Sequence, residues 1–430
     1  MALIDLGDLS AGPGEPPAPP PPVRRVRRRP AGAALVAVLC ALALGAAAVP
    51  EPSLVHDAWS VPAGQTDSLA TDGDTVYLAR ATDGRTVLTA YAVATGTPRW
   101  SRDLPWVSGA GGLMTFLAGD GMVRLADTPR VAIHAPPDAP VHPGSATVLD
   151  AATGAVRWRS TSEMMHATRD TVLLADRDDR GELRTLRLVG ARAGETRWTR
   201  QVRRVAGLEV DGTRIVTTTL AGDAGVYRYT DGSLLSSGRV AWSTGDELGT
   251  QALIHDGRFV VTRTDPLGAT IIAYRLSDLG RDWSVRTLRS SLVTGCGPVL
   301  CLARGADVAG LEPATGAIRW VRTGQGVASP AGADRLIAAG TDANEPVQTL
   351  LDAATGRVLG NLGAGWPDGD LMVRTATTPP LRTVLSRIDL PAGRAVTLGT
   401  VESIEGAYCA VTGRFLVCQR TGRIVVTTTG

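Results

Sequence analysis

A ten-residue block ending in tryptophan keeps returning along this chain, and its return constrains the fold more than any other feature. The copies read YAVATGTPRW to Trp100, LDAATGAVRW to Trp158, VGARAGETRW to Trp198, YRLSDLGRDW to Trp283 and LEPATGAIRW to Trp320. LDAATGRVLG follows, with Leu359 at the tryptophan position, and SSGRVAW to Trp242 is a weaker copy. From Trp100 to Leu359 the steps are 58, 40, 44, 41, 37 and 39 residues. The long first step contains TPRVAIHAPPDAPVHPGS, a Pro-rich insertion at 128–145. Trp59 stands 41 residues before Trp100, and Val396 about one further step beyond Leu359. A fixed period of this kind marks a repeat architecture.

Between the blocks lie short runs such as DTVYLAR, DTVLLADR, TRIVTTT, GRFVVTR and TIIAYRL, rich in β-branched residues and separated by Gly, Asp, Asn or Ser. They read as strands broken by turns, and few stretches carry a helical period. A sandwich or barrel would share these strands, but a period near forty fits four strands of five or six residues with short connections, the blade of a propeller. Within a unit, Asp150 or Asp352 folds back on local N–H groups. The glycine closing the turn, Gly154, Gly316 or Gly356, supplies positive φ. Trp100, Trp158, Trp198, Trp242, Trp283 and Trp320 then cover the junctions between blades, burying apolar area while the indole N–H finds an acceptor. On this reading the echo is structural, and Asp150 and Thr153 do no chemistry.

The block resembles the pyrroloquinoline-quinone-type propeller repeat of quinoprotein dehydrogenases and of the non-enzymatic outer-membrane assembly lipoproteins, over residues 51–430. With an anchor ahead of it, the chain is similar to membrane-anchored actinobacterial members. The resemblance implies seven or eight blades. The anchor count favours eight, with the strand near Trp59 joining RFLVCQ and GRIVVTTT to close the ring; seven is the alternative, because the Trp242 and Val396 copies are weak. The expected fold is therefore an all-β, eight-bladed propeller of four-stranded antiparallel blades, preceded by one transmembrane helix. Enzymatic members of the family use the quinone with a metal, an acidic base and often a disulfide between adjacent cysteines, and no adjacent pair occurs here.

That helix is expected at residues 31–49, AGAALVAVLCALALGAAAV, nineteen residues without a charge. Such a helix reaches about 28 Å, close to the hydrocarbon thickness. Arg24, Arg25, Arg27, Arg28 and Arg29 precede it and favour a cytoplasmic N-terminus, with the propeller extracytoplasmic and the lipid membrane as a partner. A cleavable signal peptide is the alternative, given the small residues Gly45, Ala46 and Ala48. Residues 1–30 are Pro- and Arg-rich and read as a disordered cytoplasmic tail. Elsewhere the charges balance, 44 basic against 42 acidic, and give no nucleic-acid footprint.

Four of the five cysteines fall in two local pairs, Cys296 with Cys301 in TGCGPVLCLA and Cys409 with Cys418 in AYCAVTGRFLVCQR; Cys40 lies in the apolar block. Hairpin turns between them make two local disulfides the preferred pairing of three, with unpaired buried cysteines as the alternative, and the spacing suits no zinc site. His56, His134, His142, His166 and His255 are scattered and build no triad or metal pair. The run Asp176–Glu182 lacks the ligand order of a calcium loop. No catalytic, cofactor or metal residue is assigned. The expected function is a non-catalytic extracytoplasmic propeller binding a protein, a peptide or an envelope component. The alternatives are a quinone-dependent dehydrogenase or quinone sensor with calcium, and a cell-wall glycan-binding module using Trp106 and Trp366.

Overall fold

In each repeat the two middle strands are buried on both faces and the last strand alternates, so a run such as Thr171–Arg177 reads as continuously apolar while Val156–Ser160 does not. The computed structural model describes residues 54–430 apart from 65–66, 83–84, 105–113, 128–143, 179–181, 243–249, 289–291, 343–344, 377–379 and 405–408. Residues Ser53–Gly430 form one compact unit. Among the described residues the strands make eight antiparallel sheets, seven of four strands and one of seven. The seven-stranded sheet is two four-stranded blades sharing the strand Thr196–Val210. Its first half, Thr196 to Gln201, pairs with Leu183–Gly190 and its second half, Val205 to Val210, with Arg214–Thr219. Against the expected eight blades, or alternatively seven, the eight sheets thus make nine four-stranded blades, which we number along the chain: 68–104, 114–160, 163–201, 205–239, 250–287, 292–323, 325–364, 366–402, and a ninth built from 409–429 and 55–62.

The ninth blade closes the ring by pairing the first described strand, Val55–Pro62, with the last, Arg423–Thr429. Arg420, 5% exposed, is held there by two hydrogen bonds to the carboxylate of Asp57, at 2.9 and 3.0 Å, and Thr427 donates to the same carboxylate at 2.8 Å. A buried guanidinium demands this pairing, which ties the two ends of the blade region together.

The junctions between blades follow one rule. The tryptophan of a last strand donates its indole N–H to a carbonyl in the turn of the next blade: Trp59 to Val93 at 2.6 Å, Trp100 to Ala151 at 2.9 Å, Trp158 to Ala191 at 2.9 Å, Trp198 to Tyr229 at 2.9 Å, Trp283 to Pro313 at 2.8 Å and Trp320 to Ala353 at 3.0 Å. Its ring lies on the glycine of that turn. At Gly154, φ is +67° and an added Cβ would sit 2.5 Å from the Trp100 ring. The turn itself is organised by Asp150, which accepts from the amides of Ala152 and Thr153 and from the Thr153 hydroxyl, at 3.0–3.1 Å. Burial opposes ionisation of Asp150, but Arg157 and Thr153 outweigh it and hold the carboxyl below its usual range.

Three of the nine junctions depart from the rule. The last strand of blade eight, Arg394–Glu402, carries no tryptophan and sets Val396 opposite Arg387; the blade it meets has no hairpin turn between its last two strands, Arg423–Thr429 and Val55–Pro62. In blade four the register places Ser236, opposite Val226, where six blades place tryptophan, and its hydroxyl donates to Leu276 O at 2.8 Å. In blade seven it places Gly360 there, opposite Leu350, so Leu359 is one residue off the position the sequence pattern assigned it. Gly360 backs directly onto the backbone of Gly393, and Arg335 donates to Leu390 O in place of an indole.

One expectation is corrected outright. Among the described residues there is no helix, hence none long and apolar enough to cross a membrane; their apolar residues are spent in short, paired strands. The block at 31–49 and the tail at 1–30 lie outside the described residues. The transmembrane helix, the lipid membrane as a partner, and the single-pass arrangement with a cytoplasmic N-terminus and an extracytoplasmic propeller are therefore set aside.

The junction rule predicts that Gly154→Ala lowers stability by about 3 kcal/mol, from left-handed backbone strain plus overlap with the Trp100 ring. Gly121→Ala shares the backbone term, with φ +71° and no atom within 4 Å of its added Cβ, and should lose only about 1 kcal/mol. Urea unfolding of the two variants measures the difference, and equal losses would show that the ring does not rest on the glycine.

Candidate functional site

The first strand of every blade but the fourth, whose first strand is the shared Thr196–Val210, is a sheet edge, and these inner strands meet one another around the ring. Ser68–Asp72 meets Met114–Gly119; Thr196–Val210 meets Thr250–His255, which meets Leu292–Cys296; Leu292–Cys296 meets Gln325–Pro330; and Trp366–Asp368 meets Cys409–Thr412, which meets Ser68–Asp72. Side chains on this face belong to no repeat-wide packing rule, so the face is free to differ from blade to blade.

A cavity of about 610 Å³ opens between the first strands of blades four, five and six, lined by Gly207, Glu209, Trp242, Gln251, Leu292 and Thr294 among others. Trp242 is here rather than at a repeat junction. It follows the last strand of blade four, Leu234–Arg239, and packs into the apolar cluster between blades four and five. Its ring crosses Gly207 so closely that a Cβ there would lie 2.3 Å from Cη2, which is why the strand carries glycine. The indole nitrogen is buried and, among the described residues, has no acceptor. Glu209, on the same strand face as Gly207, is half-buried; desolvation, with no cation or donor among the described residues to offset it, pushes its carboxyl up to about 7.

A second cavity of about 570 Å³ lies at the first strands of blades eight and nine, lined by Trp366, Pro367, Asp368, Val373, Ile404 and Cys409 among others. Trp366 is 55% exposed. Asp368 is half-buried and desolvation raises its pKa, again with no compensating partner. The two cavities share a composition: one tryptophan and one carboxyl without a partner among the described residues.

Each cavity is bordered by a disulfide. Cys296, on the first strand of blade six, is bonded to Cys301 on the second, and Cys409, on the first strand of blade nine, to Cys418 directly opposite it. The bridges span only 5 and 9 residues of sequence, so they remove little chain entropy. Their effect is local: each pins a cavity-lining inner strand to its neighbour.

The other residues singled out in the sequence take structural places. Trp100, Trp158, Trp198, Trp283 and Trp320 with Gly154, Gly316 and Gly356 build the junctions described above. His56 bonds Thr428, His166 packs edge-on to Tyr229, and burial lowers the pKa of both His166 and His255. Asp178 and Glu182 bind Arg184. Trp106, His134, His142 and nearly all of the 128–145 insertion lie outside the described residues. Among the described residues, no three His, Cys, Asp or Glu side chains converge to hold a metal. With its disulfides spent as cross-strand staples, this donor set does not fit a quinone and its calcium. Sequence reasoning passed over Glu209 and Asp368; the signal in hindsight is an acidic residue in a strand that begins a blade.

No protein-family model matches the chain, and no curated protein matches it. Solved structures do. A crystal structure of the eukaryotic initiation factor matches at 10% identity with a TM-score of 0.51, covering 82% of this chain and 90% of that one. BamB from Moraxella catarrhalis matches at 12% identity and 0.43, covering 87% and 99%. The C-terminal WD40 domain of Sif2 matches at 11% identity and 0.44, covering 73% and 93%. At such identities the likeness concerns the fold alone. The pyrroloquinoline-quinone-type family and its membrane-anchored branch are thereby corrected to a β-propeller in the general sense, since no family model supports the narrower assignment.

Glu209 gives a signed pH dependence. Its folded pKa of about 7 lies above the ordinary 4.5, so the folded state holds the proton more tightly. This contribution to stability is complete below pH 4.5 and is lost as pH rises through 7. Glu209→Gln should therefore shift the urea midpoint upward at pH 8.5 relative to the parent chain, and little at pH 4.5; an equal shift at both would place the carboxyl in solvent.

Proposed function

We propose that the chain is a non-catalytic propeller scaffold that binds a protein or peptide through the central face of its ring, in an oxidising environment. The observation that carries this reading is the coincidence of cavity and staple: both cavities on the inner strands are bordered by a disulfide that fixes the strand lining them. Rigid inner strands lower the ordering cost of binding, which is where preorganised sites gain affinity. The apolar lining, with Leu292 45% and Trp366 55% exposed, offers the anchors that peptide-binding surfaces use. Most acidic groups elsewhere on the ring are taken by arginines, as in Asp150 with Arg157, Glu163 with Arg177 and Asp282 with Arg258. Disulfides persist only where thiols are not kept reduced, which supports the oxidising setting.

Selection of peptides from a random display library on the full chain, followed by hydrogen exchange of the complexes, tests this. Bound peptides should slow exchange in the inner strands 205–210, 250–255, 292–296 and 366–368, and the Cys296→Ser/Cys301→Ser variant should bind at least threefold more weakly. Protection confined to the last strands of the blades, or failure to select any peptide, would overturn the proposal.

A further inference from the structure

The central-face reading leaves open what the partner presents to the two cavities, and their contents answer in chemical terms. A half-buried carboxyl is costly to leave unpaired, and this chain has the means to pair it: all 44 of its basic residues are arginine, none lysine, and arginines reach carboxylates throughout the ring. Among the described residues, Glu209 and Asp368 nevertheless meet no arginine, and desolvation raises the pKa of each. Both face cavities large enough for a side chain, about 610 and 570 Å³. Each carboxyl shares its cavity with a tryptophan, whose π-surface attracts cations and covers aliphatic stems. A peptide residue with a basic side chain supplies both the cation and the aliphatic stem. With a single carboxylate per cavity and no third ligand among the described residues, a metal ion is poorly served.

We propose that the two cavities are sockets for arginine or lysine side chains of a peptide partner, with Glu209 and Asp368 as the counter-charges and Trp242 and Trp366 as the apolar walls. This rests on the peptide-binding reading above but fails separately from it.

The test uses the peptides selected on the full chain, each also made with every arginine replaced by citrulline and every lysine by norleucine, which keep the shape and remove the charge. Selected peptides should be enriched in basic residues, and neutral replacement should weaken binding at least tenfold to the parent chain but less than twofold to the Glu209→Gln/Asp368→Asn double variant. Both substitutions keep side-chain volume and relieve a desolvated charge. A second measurement needs no variant: because this chain has no lysine, carbodiimide coupling of a lysine-containing peptide, with the α-amino groups of both chain and peptide blocked, cannot join the chain to itself, and mass spectrometry should find the amide bonds to the peptide concentrated at Glu209 and Asp368. If selected peptides lack basic residues, if neutral replacement costs less than twofold, or if coupling spreads over the surface carboxylates, the basic-socket proposal falls while the peptide-binding reading stands. If no peptide is selected and a glycan is retained instead, both fall.

Discussion

The ring depends on one contact repeated six times: an indole N–H reaching a turn carbonyl of the next blade while the indole face rests on that turn's glycine. The contact couples three requirements. The turn needs positive φ, the neighbouring ring needs the space a Cβ would fill, and the carbonyl needs a donor once it is buried. Glycine meets the first two and tryptophan the third, so the two residues recur as a pair separated by a full blade in sequence. Propagated around the ring and closed through the Asp57–Arg420 pairing, the contact converts a chain of local hairpins into one body.

Where the rule is suspended, function finds room. At the junction after blade four the turn carbonyl is satisfied by Ser236, a short side chain, and the nearest tryptophan, Trp242, is released to the inner face. There it crosses Gly207 and lines a cavity with Glu209. At the junction after blade seven, Gly360 and Arg335 do the same work with no aromatic. The next inner strand then carries Trp366, more than half exposed beside Asp368. At these two of the three junctions without tryptophan, a tryptophan follows in a cavity; after blade eight the inner strand Cys409–Thr412 carries none. The repeat builds the frame, and its exceptions supply the side chains that can meet a partner.

Much of the frame was legible in the sequence because tryptophan and glycine at a forty-residue period have few other physical uses. The periodicity marks nine positions, from Trp59 to Val396, one per blade, so the expected count of eight was one short; what it could not reveal is the shared strand Thr196–Val210, where two blades run into one another without a turn and merge into one sheet. Nor could it separate Trp242 from the true register position at Ser236, since both lie near the end of the same blade and only strand pairing distinguishes them. The site was illegible for the opposite reason. Glu209 and Asp368 stand singly in ordinary strands, and their environment comes from strands and a tryptophan distant in sequence. The cysteines were easier, because each pair spans a single hairpin whose turn is written between them.

The central claim is that the recurring tryptophans hold the ring by their indole N–H bonds, and indole hydrogen–deuterium exchange, followed by NMR on tryptophan-labelled protein, reads this directly. Trp59, Trp100, Trp158, Trp198, Trp283 and Trp320 should exchange at least a hundredfold more slowly than the exposed Trp366. Exchange of those six at the rate of Trp366 would contradict the account.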